Sequence, residues 1–349
     1  MTIRLGIVGC GRAASEIVRA SRDIPALEIA AVCDTDHSRA EALGQQAKAA
    51  VVADIDVVLA TSSVTTVYVG LPHVLLAPTV ERALRAGKHV LAEKPLALDA
   101  QDAMRLGALA RSNSLKLCVF YELRRSGPVQ AARKLIADGA IGEPRLIRLR
   151  TIIDKPLSYW GTPGATNWRA HRAEAGGGVV MMNSVHQLDT LRYVTGLDYA
   201  SAMAATATFT APGDVEDTAS AALRLSNGAI VSLVASAHTP GASDEETIEI
   251  DGTVGRLNLP DPFGTAPIRL YRKATATWED LPTSRPDSHR LMLESFVTAV
   301  EAGSEVPAGA MDAAAALSVV NAIYESARTG RLVDVQWGAS ASNAARYDA

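Results

Sequence analysis

Residues 4–14 read Arg-Leu-Gly-Ile-Val-Gly-Cys-Gly-Arg-Ala-Ala, and this stretch decides the fold. An apolar run that suits a buried strand stops at a Gly-rich turn, and residues 12–22 then have helical spacing. Gly9 allows a tight turn, and Gly11 lets the backbone approach a pyrophosphate at the helix N-terminus. Ala14 takes the third small position of the G-x-G-x-x-G/A fingerprint. The stretch predicts a dinucleotide-binding Rossmann domain, with a purely structural glycine turn as the alternative.

The next apolar run ends in a carboxylate. Asp34 follows the predicted strand Leu27–Cys33 and lies about 20 residues beyond the glycines, where an acid accepts hydrogen bonds from both ribose hydroxyls. The same charge repels a 2′-phosphate, so NAD is preferred over NADP. Asp34 could instead cap a helix, because a helix is predicted to follow it.

Two patterns divide the rest of the chain. Strands and helices alternate up to Tyr121, which predicts a parallel sheet covered on both faces. After about residue 142, strands separated by turns predict an antiparallel sheet, with a hairpin at Asn227-Gly228. We therefore expect an α/β protein with an NAD-binding domain over 1–122, a substrate-binding and oligomerisation domain over 123–337 and a flexible tail over 338–349. The last helix is expected to return to the first domain.

The composition excludes several classes of partner. The chain has 349 residues and a formal net charge of -4, which argues against nucleic acid and anionic membranes. No run of about 18 uncharged apolar residues and no secretion signal is visible, so we expect a cytoplasmic protein. Cys10, Cys33 and Cys118 lack metal-ligand spacing, and we interpret them as buried free thiols with no metal site.

Three further motifs extend along the chain. They are Gly-Lys-His-Val-Leu-Ala-Glu-Lys-Pro-Leu-Ala-Leu over 87–98, the glycine run 176–178 before a helix with His186 and Asp189, and Tyr-Glu-Ser-Ala-Arg-Thr-Gly over 324–330. With the opening Gly-Cys-Gly-Arg, the chain resembles the Gfo/Idh/MocA oxidoreductases, which include inositol and glucose dehydrogenases. The resemblance runs from residue 3 to about residue 335. Its most specific element is Glu93-Lys94-Pro95.

This resemblance implies a Rossmann domain joined to an α/β domain with a large open, mostly antiparallel sheet, assembled as a homodimer or homotetramer through that sheet. It assigns Lys94 to a place beside the nicotinamide, hydrogen-bonded to the reacting hydroxyl, and makes His186 the acid or base. Pro72 belongs to the loop that covers the cofactor. The full set of predicted cofactor contacts is Gly9, Cys10, Gly11, Arg12, Ala13, Asp34, Leu71, Pro72, Glu93, Lys94 and Tyr121.

The chemistry suits a polyol or sugar substrate. Oxidation of an alcohol needs a base with a pKa near neutrality, which an unperturbed histidine has at roughly 6.5. A lysine cation stabilises the developing alkoxide. The segment 159–172 is rich in aromatic and basic side chains, which cover sugar rings and bond hydroxyls or a carboxylate, although it could equally be a structural lid. The predicted substrate contacts are Lys94, Tyr121, Trp168, Arg169, Arg172, Asn183 and His186.

The sequence departs from the family pattern at two positions. Many family dehydrogenases have an Asp one helical turn before the histidine, whereas this chain has Met182 followed by Asn183. Asn183 and His186 are three apart and share a helix face, so the amide could bind a substrate hydroxyl but cannot take a proton. The family often places a His four residues after Pro72, where this chain has Leu76.

Three function classes stay open at this stage. The leading one is an NAD-dependent dehydrogenase or reductase of a sugar, cyclitol or sugar derivative. A second is an enzyme that retains NAD and uses transient oxidation for glycoside cleavage or epimerisation. The third is a non-catalytic NAD and sugar sensor, which Lys94 and His186 argue against and Met182 slightly favours.

Overall fold

The computed structural model describes residues 2–162, 165–210, 212–242, 245–264 and 266–336. The described residues form two compact units, the first within 2–122 and 287–314 and the second within 123–286 and 315–336. The tail expected over 338–349 lies outside the described residues. Among the helices that are described, none is long and apolar enough to cross a membrane.

The first unit contains a six-stranded parallel sheet flanked by helices. In chain order its elements are β1 (Ile3–Val8), α1 (Arg12–Ser21), β2 (Leu27–Cys33), α2 (His37–Ala47), β3 (Ala50–Val51), α3 (Ile55–Ala60), β4 (Thr66–Val69), α4 (His73–Arg85), β5 (His89–Ala92), α5 (Ala100–Ser112) and β6 (Leu117–Val119). The strand order is β3-β2-β1-β4-β5-β6. The order reverses between β1 and β4, so the crevice at the carboxyl ends of these strands is where such sheets bind ligands.

Acidic residues begin three of the helices in this unit. Asp36, Asp54 and Asp99 each accept hydrogen bonds from backbone N–H groups in the first turn of α2, α3 and α5. Such caps satisfy donors that have no partner inside the helix. The helix after β2 is therefore capped by Asp36, which leaves the Asp34 carboxylate to other contacts.

The second unit is built on a nine-stranded sheet. In chain order its elements are α6 (Gly127–Ala137), β7 (Pro144–Ile152), β8 (Gly161–Thr162), β9 (Ala165–Thr166), α7 (Arg172–Ala175), a π-helical turn (Val180–Ser184), α8 (Val185–Thr195), β10 (Tyr199–Ala207), β11 (Thr218–Leu225), β12 (Ile230–Ser236), β13 (Glu245–Gly252), β14 (Gly255–Leu259), β15 (Ile268–Arg272) and β16 (Thr277–Leu281). Two later helices, α9 (Ser288–Ala302) and α10 (Ala310–Thr329), and a short β17 (Val333–Asp334) follow. The sheet order is β16-β15-β14-β13-β7-β12-β11-β10-β17, antiparallel except for the parallel pair β7 and β12.

Buried and more exposed residues alternate along the strands, which distinguishes the two faces of this sheet. In β7, Ile147, Leu149 and Thr151 are buried, whereas Arg148 and Arg150 between them are not. The hairpin predicted at Asn227-Gly228 joins β11 and β12, and Gly228 has the positive φ of 86° that such a turn needs. One face of the sheet is therefore core and the other is open.

The chain returns to the first unit late. Helix α9 belongs to that unit, and α10 is divided between the units at Ala314. On α9, Leu293, Phe296 and Val297 are buried. The returning segment thus includes the penultimate helix as well as the start of the last one.

Candidate functional site

The Gly-rich turn between β1 and α1 is tightly packed at its first glycine and open at its second. Gly9 has φ +91°, and a Cβ atom there would lie 2.2 Å from the carbonyl oxygen of Gly70. At Gly11, by contrast, a Cβ would meet nothing within 4 Å. The first glycine is needed for backbone packing. The second leaves an open cradle at the start of α1, where Arg12 and Ala13 follow.

Asp34 lies against this turn. Its carboxylate accepts a hydrogen bond from the Cys10 backbone N–H at 2.7 Å and from the Asp36 N–H at 2.8 Å. Because Asp36 caps α2, a capping role does not explain Asp34. The acid predicted to bind ribose is thus fixed next to the glycine turn.

All three cysteines are free and buried. Burial, reinforced by the negative charge of Asp34, raises the pKa of Cys10 to about 12 and that of Cys33 to about 11. A thiol with so high a pKa has little thiolate at neutral pH and is a poor nucleophile. These residues pack rather than react, as their sequence context predicted.

The loop after β4 and the end of β6 supply the remaining predicted cofactor contacts of this unit. The Leu71 side chain packs against the Gly9 position, and Pro72 precedes α4. His73 is the buried first residue of α4. Tyr121 is buried just beyond β6.

Glu93 and Lys94 follow β5 at the carboxyl edge of the parallel sheet. The Tyr68 hydroxyl donates a hydrogen bond to Glu93 Oε1 at 2.8 Å. Burial raises the pKa of Glu93, and the charge of Lys94 and the Tyr68 hydroxyl oppose that shift. Sequence reasoning did not find Tyr68, because a tyrosine within a buried strand reads as a core residue.

In the second unit, two predicted site residues stand out on a buried helical element. From Gly177 to Val194, all of which the structure describes, every residue is buried except Asn183 and His186. These two are three positions apart at the junction of the π-helical turn and α8, and such turns occur frequently at functional sites. The pair is therefore accessible on an element that otherwise forms core.

The Asn183 amide has an unused acceptor. Its Oδ1 atom is buried and has no hydrogen-bond partner among the residues that the structure describes. A buried polar atom without a partner costs about 1–3 kcal/mol. A ligand hydroxyl that donates to this oxygen would remove that cost.

Asp189 has a structural partner. Its carboxylate forms two hydrogen bonds with the Arg124 guanidinium, at 2.9 and 2.6 Å, and the two side chains are 1% and 2% exposed. Breaking such a pair leaves a buried uncompensated charge. The geometry therefore supports a role for Asp189 in orienting neighbouring groups.

The aromatic segment 159–172 packs partly on the helical element. The Arg169 guanidinium lies 4.9 Å from the Tyr159 ring centroid and 4.6 Å from that of Trp168. The Tyr159 hydroxyl contacts the Met182 sulfur at 3.6 Å, and Trp160 is fully buried. The segment thus combines structural packing by Trp160 with an aromatic and cationic group beside Met182, the position where the family carboxylate is absent.

Arg172 is engaged by two neighbours. Its guanidinium lies 5.1 Å from the Tyr324 ring centroid, and a nitrogen of that group is 3.6 Å from a Glu216 carboxylate oxygen. The predicted substrate contact is therefore oriented by Tyr324 and Glu216. Glu216 was not found from the sequence, because an acid that precedes a strand carries no pattern of its own.

Comparison with known proteins identifies the family. A family model described as an oxidoreductase family with an NAD-binding Rossmann fold matches residues 3–121, and a GFO/IDH/MocA C-terminal domain model matches residues 129–258. The chain belongs to the Gfo/Idh/MocA family of oxidoreductases. The resemblance inferred from the sequence motifs, the oxidoreductase class and the α/β fold with parallel and mostly antiparallel sheets are confirmed.

Relatives of this Gfo/Idh/MocA protein match it over almost its whole length. The 1,5-anhydro-D-fructose reductase of Ensifer adhaerens is 29% identical over 338 residues, covering 96% of this chain and 99% of its own. The inositol 2-dehydrogenase of Rhizobium meliloti is 26% identical, covering 96% and 100%. The solved structure of the WlbA dehydrogenase of Bordetella pertussis, in complex with NADH and UDP-GlcNAcA, has a TM-score of 0.86 at 24% identity, covering 97% and 99%.

Proposed function

We propose that this Gfo/Idh/MocA protein is an NAD-dependent dehydrogenase or reductase that transfers a hydride between the nicotinamide and a hydroxyl-bearing carbon of a sugar, cyclitol or sugar derivative. One observation carries the proposal. Within the stretch 177–194, all of which the structure describes, Asn183 and His186 are the two residues that are not buried. An imidazole and an amide on one helix face suit a hydroxyl that must be held and deprotonated.

The residues of the first unit fit NAD. The open position at Gly11 leaves room for a pyrophosphate beside the N-terminus of α1, and the Asp34 carboxylate is fixed next to it. Its charge favours the free ribose hydroxyls of NAD over the 2′-phosphate of NADP. We assign the contacts to Gly9, Cys10, Gly11, Arg12, Ala13, Asp34, Leu71, Pro72, Glu93, Lys94 and Tyr121.

Two residues carry the proton chemistry in this proposal. His186 takes the hydroxyl proton of the substrate during oxidation and returns it during reduction. Lys94 donates a hydrogen bond to the same oxygen and stabilises its developing negative charge, an effect worth roughly 3 kcal/mol where it has been measured. The nicotinamide, when bound, supplies the redox step.

The substrate class rests on the second unit and on the relatives. Asn183 offers an acceptor to a substrate hydroxyl, and Trp168, Arg169 and Arg172 provide aromatic and cationic contacts. The two curated relatives reported above are named for an anhydro sugar and an inositol. We assign the substrate contacts to Lys94, Tyr121, Trp168, Arg169, Arg172, Asn183 and His186.

We further propose a homodimer or homotetramer assembled through the open face of the nine-stranded sheet. That face carries exposed apolar side chains at Leu146, Ile230 and Val234. A ladder of ion pairs that includes Arg148 with Glu249 lies beside them. Sedimentation velocity of the parent and of Val234→Glu tests the assembly, since a monomeric parent contradicts it.

The function is tested by incubating the protein with a panel of sugars, sugar acids and inositols in the presence of NAD or NADP. Turnover is measured from the absorbance of the NADH or NADPH that forms. We expect NAD-linked turnover of a polyol and a loss of about 100-fold in kcat for Lys94→Ala. The exposed Lys134 on α6, changed to Ala, is the control and should be neutral.

Each other outcome points to a different mechanism or a different function class. Unchanged turnover in Lys94→Ala removes Lys94 from the mechanism. Cofactor that co-purifies and does not exchange while substrate is converted without NADH release indicates the NAD-retaining class. Absence of turnover with every substrate, together with sugar binding, indicates the sensor.

A further inference from the structure

We infer that Glu216, together with Tyr324, is a positioning residue that fixes the backbone from which Asn183 and His186 project. The inference rests on the proposed function, since it assigns these two residues to the reaction. It joins two sequence motifs whose purpose the site leaves unexplained, the glycine run 176–178 and the closing Tyr-Glu-Ser-Ala-Arg-Thr-Gly.

The Glu216 carboxylate serves the first N–H groups of the helical element. It accepts hydrogen bonds from the Gly178 N–H at 2.8 Å and the Val180 N–H at 3.1 Å, and its residue is 2% exposed. Its backbone carbonyl also accepts from the Val179 N–H at 3.0 Å. These donors have no partner inside the helix, and a negative charge at a helix N-terminus is favourable. Glu216 thus substitutes for the cap that the sequence lacks at this point.

Tyr324 completes the anchor from α10. Its hydroxyl donates to Glu216 Oε1 at 2.8 Å and accepts from the Met181 N–H at 3.1 Å. The Arg172 guanidinium covers the Tyr324 ring and approaches the Glu216 carboxylate. Four consecutive backbone N–H groups, 178–181, are therefore bonded to two side chains and one carbonyl from distant parts of the chain.

The anchor explains the glycine run. A Cβ atom at Gly178 would lie 1.7 Å from the Glu216 carbonyl oxygen, and one at Gly177 would lie 2.0 Å from the Tyr324 hydroxyl. Any side chain at these positions would push the anchor away. Close packing therefore requires glycine at positions 177 and 178.

The position of the anchor makes it relevant to catalysis. Asn183 lies two residues beyond Met181, and His186 lies one turn further on the same element. A displacement of about 1 Å in a catalytic group can cost about 100-fold in rate. Loosening of the first turn should therefore move both groups relative to the substrate, without touching the dinucleotide turn of the first unit.

The test uses Glu216→Gln and Tyr324→Phe with two matched controls. Asp217→Asn changes the neighbouring buried acid, which bonds the backbone of Phe209 and Thr210 instead. Tyr193→Phe removes another buried tyrosine hydroxyl, on α8 two turns beyond His186, where it bonds Gln130 and Arg133. Hydrogen exchange of the peptide covering 178–186 is measured with kcat and KM on the substrate found in the panel.

For Glu216→Gln we expect exchange over 178–186 to rise about tenfold or more and kcat to fall about 10–100-fold, with KM for NAD within about twofold of the parent. Tyr324→Phe should have a smaller effect in the same direction, and the controls should change neither quantity. Unchanged exchange in both variants overturns the anchor. Faster exchange in a variant whose kcat per folded molecule equals that of the parent overturns the catalytic role of the anchor. A parent with no turnover overturns the proposed function and that catalytic role, while exchange still decides the anchor.

Discussion

The Tyr68 hydroxyl, on β4, donates a hydrogen bond of 2.8 Å to Oε1 of Glu93, the residue directly after the adjacent parallel strand β5. The Tyr68 ring packs beneath Gly70, where a Cβ atom would lie 2.7 Å from ring carbon Cε1. The ring, its carboxylate partner and the glycine therefore form one packed group directly before Lys94. The Glu93 carboxylate of Glu-Lys-Pro therefore accepts a hydrogen bond from a buried phenol and interacts with the charge of Lys94.

Tyr68→Phe should destabilise the protein more at pH 8 than at pH 5. The pKa of Glu93 is raised by burial, so the protonated carboxyl stabilises the fold below the ordinary pKa of 4.5, and this contribution is lost as the pH rises through the folded pKa. The Tyr68 hydroxyl opposes that loss because it stabilises the ionised form. Without it we expect a decrease in the free energy of unfolding of about 1 kcal/mol where Glu93 is protonated and about 2–3 kcal/mol where it is ionised, measured by urea unfolding at a series of pH values.

Tyr199→Phe is the matched control for this comparison. Tyr199 is also buried, but its hydroxyl donates to the neutral carbonyl of Leu188 at 3.0 Å. Its loss should have the same cost at both pH values. Equal pH dependence in the two variants would show that Tyr68 does not act through the charge of Glu93.

Asp34→Ala should weaken NADH binding by about 10–100-fold. The affinity of the variant for NADPH should change little. The carboxylate that would bond the ribose hydroxyls contributes roughly 1.5–3 kcal/mol as a charged acceptor, and its removal also abolishes the repulsion of a 2′-phosphate. Fluorescence titration of both reduced cofactors measures the ratio. Asp36→Ala removes the cap of α2 and should lower the free energy of unfolding while leaving the ratio intact. A ratio that stays constant in Asp34→Ala contradicts the proposed NAD preference.

Sequence patterns predicted the elements whose signals are local. The apolar run at Leu27–Cys33 predicted a strand that the structure has with the same bounds. The Asn227-Gly228 hairpin also follows from local backbone preference. The helix Gly127–Ala137 was missed because Gly-Pro reads as a helix breaker, although Pro128 is tolerated in the first turn and Ser126 caps the helix.

The site was predictable where a motif names a residue and not where a contact is long-range. Lys94 and His186 were proposed from motifs, and Asn183 from its spacing to His186. Glu216 and Tyr68 act through partners 108 and 25 positions away, Tyr324 and Glu93, and no periodicity encodes such pairs. The strand Gly255–Leu259 was missed because Arg256 and Asn258 dilute its apolar pattern, and the edge strand Thr277–Leu281 was missed because none of its residues is buried.

Asp189→Asn should cost stability rather than substrate affinity. The change leaves the Arg124 guanidinium buried and incompletely paired, which typically costs about 3–5 kcal/mol. Arg124→Met should cost a similar amount, and the double variant Arg124→Met with Asp189→Leu should cost less than the sum of the single changes. Urea unfolding measures the free energy of unfolding of each variant. A rise in KM for the sugar at unchanged stability would instead assign Asp189 to substrate binding.

Asn183→Ala should raise KM for the sugar by about tenfold and leave NADH binding unchanged, because a lost hydrogen bond from a substrate hydroxyl to Oδ1 is worth about 1–1.5 kcal/mol. Asn183→Asp provides an acceptor of almost the same shape and separates geometry from charge. If the amide only accepts a hydrogen bond, the carboxylate should preserve KM. If instead this reaction needs the carboxylate that is absent at Met182, Asn183→Asp should raise kcat above that of the parent.

The neighbouring Ser184→Ala, which loses a buried hydrogen bond to Thr151, is the control for local packing and should leave KM unaltered. Parent KM in Asn183→Ala would show that Asn183 does not contact the substrate, and the acceptor role would pass to another residue.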